Sequence, residues 1–144
     1  DPDNRRPVDW TDRGERLARV VAAEPALDLD DEKVRVTARA LRVRREDPAA
    51  FVGEGTTYTG LPCSSPHALA FARGDADGLR VVTVATVAAG ALAAGGGFGD
   101  AVVELPPGSW RDVLADGDNV ITGGSVSLAT LLAHRPVALL VRHS

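Results

Sequence analysis

The apolar positions of this chain change their period near residue 48. Before that point they recur every three or four residues; after it they alternate or gather in short β-branched runs bounded by glycine and proline. The change predicts two helices followed by a strand-rich region. The first helix is expected to start near Thr11, with Trp10 just outside it. It carries Leu17, Val20 and Val21 on one face and ends at Glu24-Pro25, because the residue before a proline is pushed out of helical conformation. The second follows Asp28, Asp30 and Asp31, carboxylates that suit a helix start by capping free amides and opposing the dipole. Val34, Ala38 and Leu41 then form an apolar stripe, and Arg35, Arg39, Arg42, Arg44 and Arg45 read as a solvated, partly ion-paired face.

Beyond Asp47-Pro48, strands are predicted over 56–59, 68–73, 79–87, 101–105, 109–114, 125–128 and 137–142. Turn chemistry separates them at Gly74-Asp75-Ala76-Asp77-Gly78, Pro106-Pro107-Gly108, Asp116-Gly117-Asp118-Asn119 and Gly123-Gly124. Ala88 to Gly99 is too weakly patterned for an interior strand and is expected to form a loop or an excursion at a sheet edge. Strands at this spacing suggest an antiparallel sandwich. The expected fold class is therefore α+β: a helical segment over residues 1–49 and an all-β antiparallel sandwich over residues 50–144.

Charge narrows the partners. Sixteen Lys and Arg stand against twenty Asp and Glu, a net charge of -4, so no global field draws nucleic acid or an anionic membrane. The Arg35 to Arg45 helix is the one feature that favours nucleic acid, and the acidic whole argues against it. No apolar run approaches the roughly 20 residues of a membrane helix. The opening Asp1-Pro2-Asp3 has neither an initiator Met nor a signal peptide's apolar core, so the chain is expected to be cut from a longer one. The lone Cys63 cannot form an internal disulfide, and a reducing cytoplasm is the expected compartment.

Local chemistry is sparse. Gly95-Gly96-Gly97-Phe98-Gly99 offers bare amides but lacks the Lys and Ser or Thr of a phosphate loop and the strand and helix of a dinucleotide fingerprint; a turn is expected. His67, His134 and His143 have no second ligand at a metal-site spacing, so neither metal nor cofactor is expected. Ser64, Ser65 and His67 beside Cys63 read as a polar loop rather than a hydrolytic triad. Aromatic residues total 4%, with Trp10, Trp110 and Tyr58 far apart in sequence, which argues against a sugar-stacking platform and makes Trp110 a core residue. One compact polar cluster remains, Asp1, Asp3, Asn4, Arg5 and Arg6 ahead of Pro7, a mix that suits sugar hydroxyls or the bracing of a loop.

The stretch Asp1-Pro2-Asp3-Asn4-Arg5-Arg6-Pro7-Val8-Asp9-Trp10 resembles the segment after the last barrel strand in maltooligosyltrehalose synthases of the α-amylase superfamily. The resemblance continues in order through Val36-Thr37-Ala38-Arg39-Ala40-Leu41 and Arg44-Arg45, His67 to Gly74, Val81 to Val84, Gly96 to Asp100, Leu105 to Leu114 and Pro136 to Val141. Departures are Val87-Ala88-Ala89 in place of a polar, Arg-containing stretch, Phe98 in place of a Trp, and Cys63 in a variable loop.

This resemblance implies part of an enzyme that turns the reducing-end α-1,4 bond of a maltooligosaccharide into an α,α-1,1 bond by intramolecular transfer, an isomerase of trehalose biosynthesis. Retaining chemistry of that kind uses a carboxylate nucleophile and a carboxylic acid roughly 5 Å apart on barrel strand ends. Those strands would precede residue 1, so no catalytic residue is expected here and the chain alone should be inactive. Asp1, Asp3, Asn4 and Arg5 would then line or support the reducing-end sugar site. The expected partners are the missing catalytic barrel and, through it, the maltooligosaccharide. Without the barrel, the apolar helix faces should drive self-association. The alternative is a free-standing glucan-binding or interaction β-sandwich module without catalysis.

Overall fold

A computed structural model describes residues 7–22, 24–117 and 119–143. The chain divides into two compact units, residues 1–42 and 43–144, each taken separately below.

The first unit is a helix pair. Helix α1, Trp10–Val21, begins one residue earlier than its apolar spacing suggests, because Asp9 caps it: Oδ1 accepts from the amides of Thr11 at 3.0 Å and Asp12 at 3.1 Å. Helix α2, Leu29–Glu46, starts within the acidic run rather than after it, so Asp30 and Asp31 lie in its first turn, and Asp28 Oδ1 accepts from the Asp31 amide at 2.8 Å. The unit boundary falls within the last turns of α2. Arg35 departs from the expected solvated face: it is buried and donates to the Glu24 carbonyl at 2.8 Å.

The second unit opens with a short 3-10 turn, Pro48–Ala50, followed by β1 (Thr57–Leu61), β2 (Ala68–Asp75), β3 (Gly78–Thr86), α3 (Ala89–Ala94), β4 (Val102–Asp112), β5 (Val120–Ser127), α4 (Leu128–Leu131) and β6 (Val137–His143). Six strands form one antiparallel sheet in the order β1-β2-β3-β6-β4-β5. The expected sandwich of two facing sheets is replaced by a single curled sheet. The cause lies in Pro106-Pro107-Gly108, which bends one long strand instead of separating two. These three residues stand opposite the single Gly123, since Leu105 pairs with Gly124 and Ser109 with Thr122. A bulge of this kind bends its strand and sharpens the twist.

Two contacts fix the bend. The Trp110 indole N–H donates to the Pro106 carbonyl at 2.9 Å. Gly123 allows the close approach, because a Cβ there would lie 2.1 Å from the Pro106 oxygen. The first half of β4 thereby reaches the chain leaving β1: Ser64 N–H donates to Val102 O at 2.9 Å and Glu104 N–H to Pro62 O at 3.0 Å, with a bridge between Cys63 and Val103. The curl encloses a core of Ala70, Ala72, Val82, Val84, Ala138 and Leu140 beneath Trp110 and Leu128. Ala88 to Gly99, expected to be irregular, contains α3, a six-residue helix with no buried side chain.

Candidate functional site

The residues singled out as sugar-site candidates, Asp1, Asp3, Asn4 and Arg5, lie outside the described residues. Among the described residues no group of three His, Cys, Asp or Glu side chains is placed to hold a metal ion, and no helix is long and apolar enough to cross a membrane. The surfaces that invite a partner are instead one face of the helix pair and one face of the sheet.

In the helix pair, the seam between α1 and α2 is ionic. Arg16 Nε donates to both oxygens of Asp12, at 2.9 and 2.8 Å, while its Nη1 reaches Asp28 Oδ1 and Asp31 Oδ1, each at 2.7 Å. Arg19 adds a 2.7 Å bond to the same Asp31 oxygen, and Asp31 Oδ2 accepts the Leu27 amide at 2.9 Å. Asp31 is 2% exposed, so its charge is held by two guanidinium groups and a backbone amide. The Leu27 amide, and after it Arg19 and Arg16, hold the Asp31 carboxyl well below its usual range, at about 2. The Asp31 amide and Arg16 depress Asp28 in the same direction, and Asp12 foremost raises Arg16.

With polar groups closing the seam, the apolar stripe is turned outward. Val8, Trp10, Leu17, Val34, Ala38 and Leu41 line a groove of about 500 Å³, with Trp10 79% and Leu41 61% exposed. A soluble domain rarely leaves so contiguous an apolar patch uncovered unless it meets a partner.

On the sheet, residues 69, 71 and 73 of β2 alternate with the core residues and share the outer face with Tyr58 of β1. Tyr58 stacks on Phe71 with ring centroids 4.8 Å apart and planes at 25°, and Arg73 lies 5.2 Å from the Tyr58 ring and 5.7 Å from that of Phe51. Sequence separation hid this cluster; the register pairing Tyr58 with Arg73 and Gly60 with Phe71 assembles it. Trp110 is wholly buried, as expected of a core residue.

No protein-family profile matches the chain. A maltooligosyl trehalose synthase of Mycobacterium tuberculosis, in two strains, is 39% identical over 144 residues, 99% of this chain and 16% of the relative. Two structures of maltooligosyltrehalose synthase from Arthrobacter ramosus, one carrying a point substitution, align over 99% of this chain and 18% of theirs, at 36% identity and TM-scores of 0.80 and 0.81. The chain is homologous to the C-terminal portion of maltooligosyltrehalose synthase. It spans about one-sixth of the length of the curated relatives it matches, and the remaining five-sixths of each has no counterpart in these 144 residues.

Proposed function

We propose that this chain serves as the non-catalytic C-terminal portion of a maltooligosyltrehalose synthase, an enzyme converting the reducing-end α-1,4 bond of maltooligosaccharides to an α,α-1,1 bond. The carrying observation is the collinear match over 99% of the chain at 39% identity. In this reading residues 1–49 complete a TIM-type barrel, and the curled sheet of the second unit covers and stiffens it. The groove from Val8 to Leu41 is the face that meets the barrel. The partner's size supports this occupant, since the matched relatives are about six times as long as the matched region. Asp1, Asp3, Asn4 and Arg5 would line or brace the reducing-end sugar site. Deprived of the barrel, two copies of the chain should pair through the same groove, giving a dimer by sedimentation that Leu41→Asp disperses. A cytoplasmic setting fits the single unpaired Cys63.

Catalysis needs a nucleophile and an acid on barrel strands, so the chain alone should form no product. The test supplies it to the Arthrobacter ramosus enzyme truncated of its matched 18%. Trehalose-capped product from maltopentaose is expected only when both parts are present, and Trp10→Ser with Leu41→Asp should abolish the rescue. Product from the chain by itself, or no rescue, would reject the reading.

A further inference from the structure

We propose that the cavity between the β4–β5 turn and the chain joining α4 to β6 binds a glucosyl unit of a glucan; that the sugar belongs to a glucan rests on the functional reading above. Three stretches distant in sequence converge there: the end of β4 with the turn after it, the end of α4, and the approach to β6. They enclose about 370 Å³, within the range of roughly 300–1,000 Å³ typical of small-molecule sites. Half-buried Ala115, Leu131 and Val137 supply apolar wall beside Asp112 and beside Arg135, whose side chain is 16% exposed. Asp116, Asn119 and His134 stand exposed at the mouth.

This mixture selects the ligand by elimination. Two carboxylates, Asp112 and Asp116, disfavour an anion. Arg135, whose Nη2 lies 3.5 Å from Asp116 Oδ2, disfavours a cation, and no three His, Cys, Asp or Glu side chains among the described residues are placed to hold a metal. A neutral ligand that both donates and accepts hydrogen bonds fits. The carboxylates accept hydroxyl protons, the guanidinium donates to hydroxyl oxygens, and the Asn119 amide and His134 imidazole do both. Adjacent hydroxyls on a pyranose ring present that combination, and the ring's C–H face suits Leu131 and Val137. Asp112 is set in advance, because its Oδ1 accepts from the amides of Leu114 at 2.9 Å and Leu139 at 3.1 Å, so engaging it costs little side-chain ordering. Among the described residues no Phe, Tyr or Trp lines the cavity, so the affinity comes from hydrogen bonds and is expected to be weak.

The experiment titrates the isotope-labelled full chain with maltopentaose and follows its backbone amide resonances. Saturable shifts are expected at residues 112–117 and 131–137. Asn119→Ala and His134→Ala, both at exposed positions, should each weaken binding about fivefold, the worth of one hydrogen bond, with melting unchanged. No saturable shift at these residues, or wild-type affinity in both variants, would overturn the site. Tighter binding of inorganic phosphate alone, or of calcium ion alone, at the same residues would reassign the cavity to an anion or a cation and overturn the neutral ligand. Rescue of the truncated Arthrobacter ramosus enzyme without these shifts would reject the site and leave the functional reading intact. Shifts without rescue would reject that reading and keep a sugar site.

Discussion

The two units of this chain are held together by opposite physics. The helix pair meets through charges, with Asp31 and Arg16 at the seam, and although Val20 is buried it leaves Trp10, Leu17 and Leu41 exposed. The sheet encloses an apolar core beneath Trp110, whose indole N–H is satisfied by the Pro106 carbonyl. A charged seam under an exposed apolar face suits an element that shares its core with something larger, whereas an enclosed core suits an element that keeps its fold in isolation. The contrast predicts that the units respond differently to the same perturbation.

The largest effect should come from the sheet core. Trp110→Ala removes a fully buried indole and releases the Pro106 carbonyl, at a cost of about 3–5 kcal/mol. Urea unfolding followed at the sheet should show the midpoint fall while the helix-pair transition stays in place. A shift of both transitions together would show that the units are energetically one.

Acid should act the other way round. Asp31 and Asp28 are both depressed, so the stability they contribute is present above their ordinary value of 3.8 and is lost as pH falls below it, for Asp31 toward about 2. Asp112, at the end of β4, is raised, chiefly by burial, although it accepts from the amides of Leu114 at 2.9 Å and Leu139 at 3.1 Å. A raised carboxyl has the opposite sign, so mild acid relieves the sheet of a buried charge. Far-ultraviolet dichroism of the helices is expected to fade between pH 4 and 2, ahead of the near-ultraviolet signal of buried Trp110. Asp31→Asn should remove most of that acid transition, and high salt should mimic it in part.

The smallest change tests a single backbone angle. Ala88, before α3, sits in the left-handed region at φ 51 and ψ 55, where a Cβ is strained. Ala88→Gly should stabilise the second unit by about 1 kcal/mol in the same urea experiment; a loss of stability would mean that the strain is absent.

Much of this architecture was legible in the sequence. Apolar period and the acidic run of residues 28 to 31 predicted both helices, and alternation predicted β1, β2, β3 and β6 to within a few residues. The sheet's closure was not legible. Pro106-Pro107-Gly108 carries the composition of a turn, and only pairing with Gly123 across the sheet reveals a bulge within one strand. The fate of Arg35 was hidden for a similar reason: its partner, the Glu24 carbonyl, is backbone and leaves no mark on side-chain pattern. The Tyr58, Phe71 and Arg73 cluster likewise depends on register, a long-range property.

Whether this chain completes a larger catalytic body can be measured directly. The most direct test is the split-enzyme assay, with trehalose-capped product from maltopentaose measured for the truncated Arthrobacter ramosus enzyme, for this chain, and for the two together. Product is expected from the mixture alone. Product from this chain by itself, or a mixture no more active than the truncated enzyme, would contradict it.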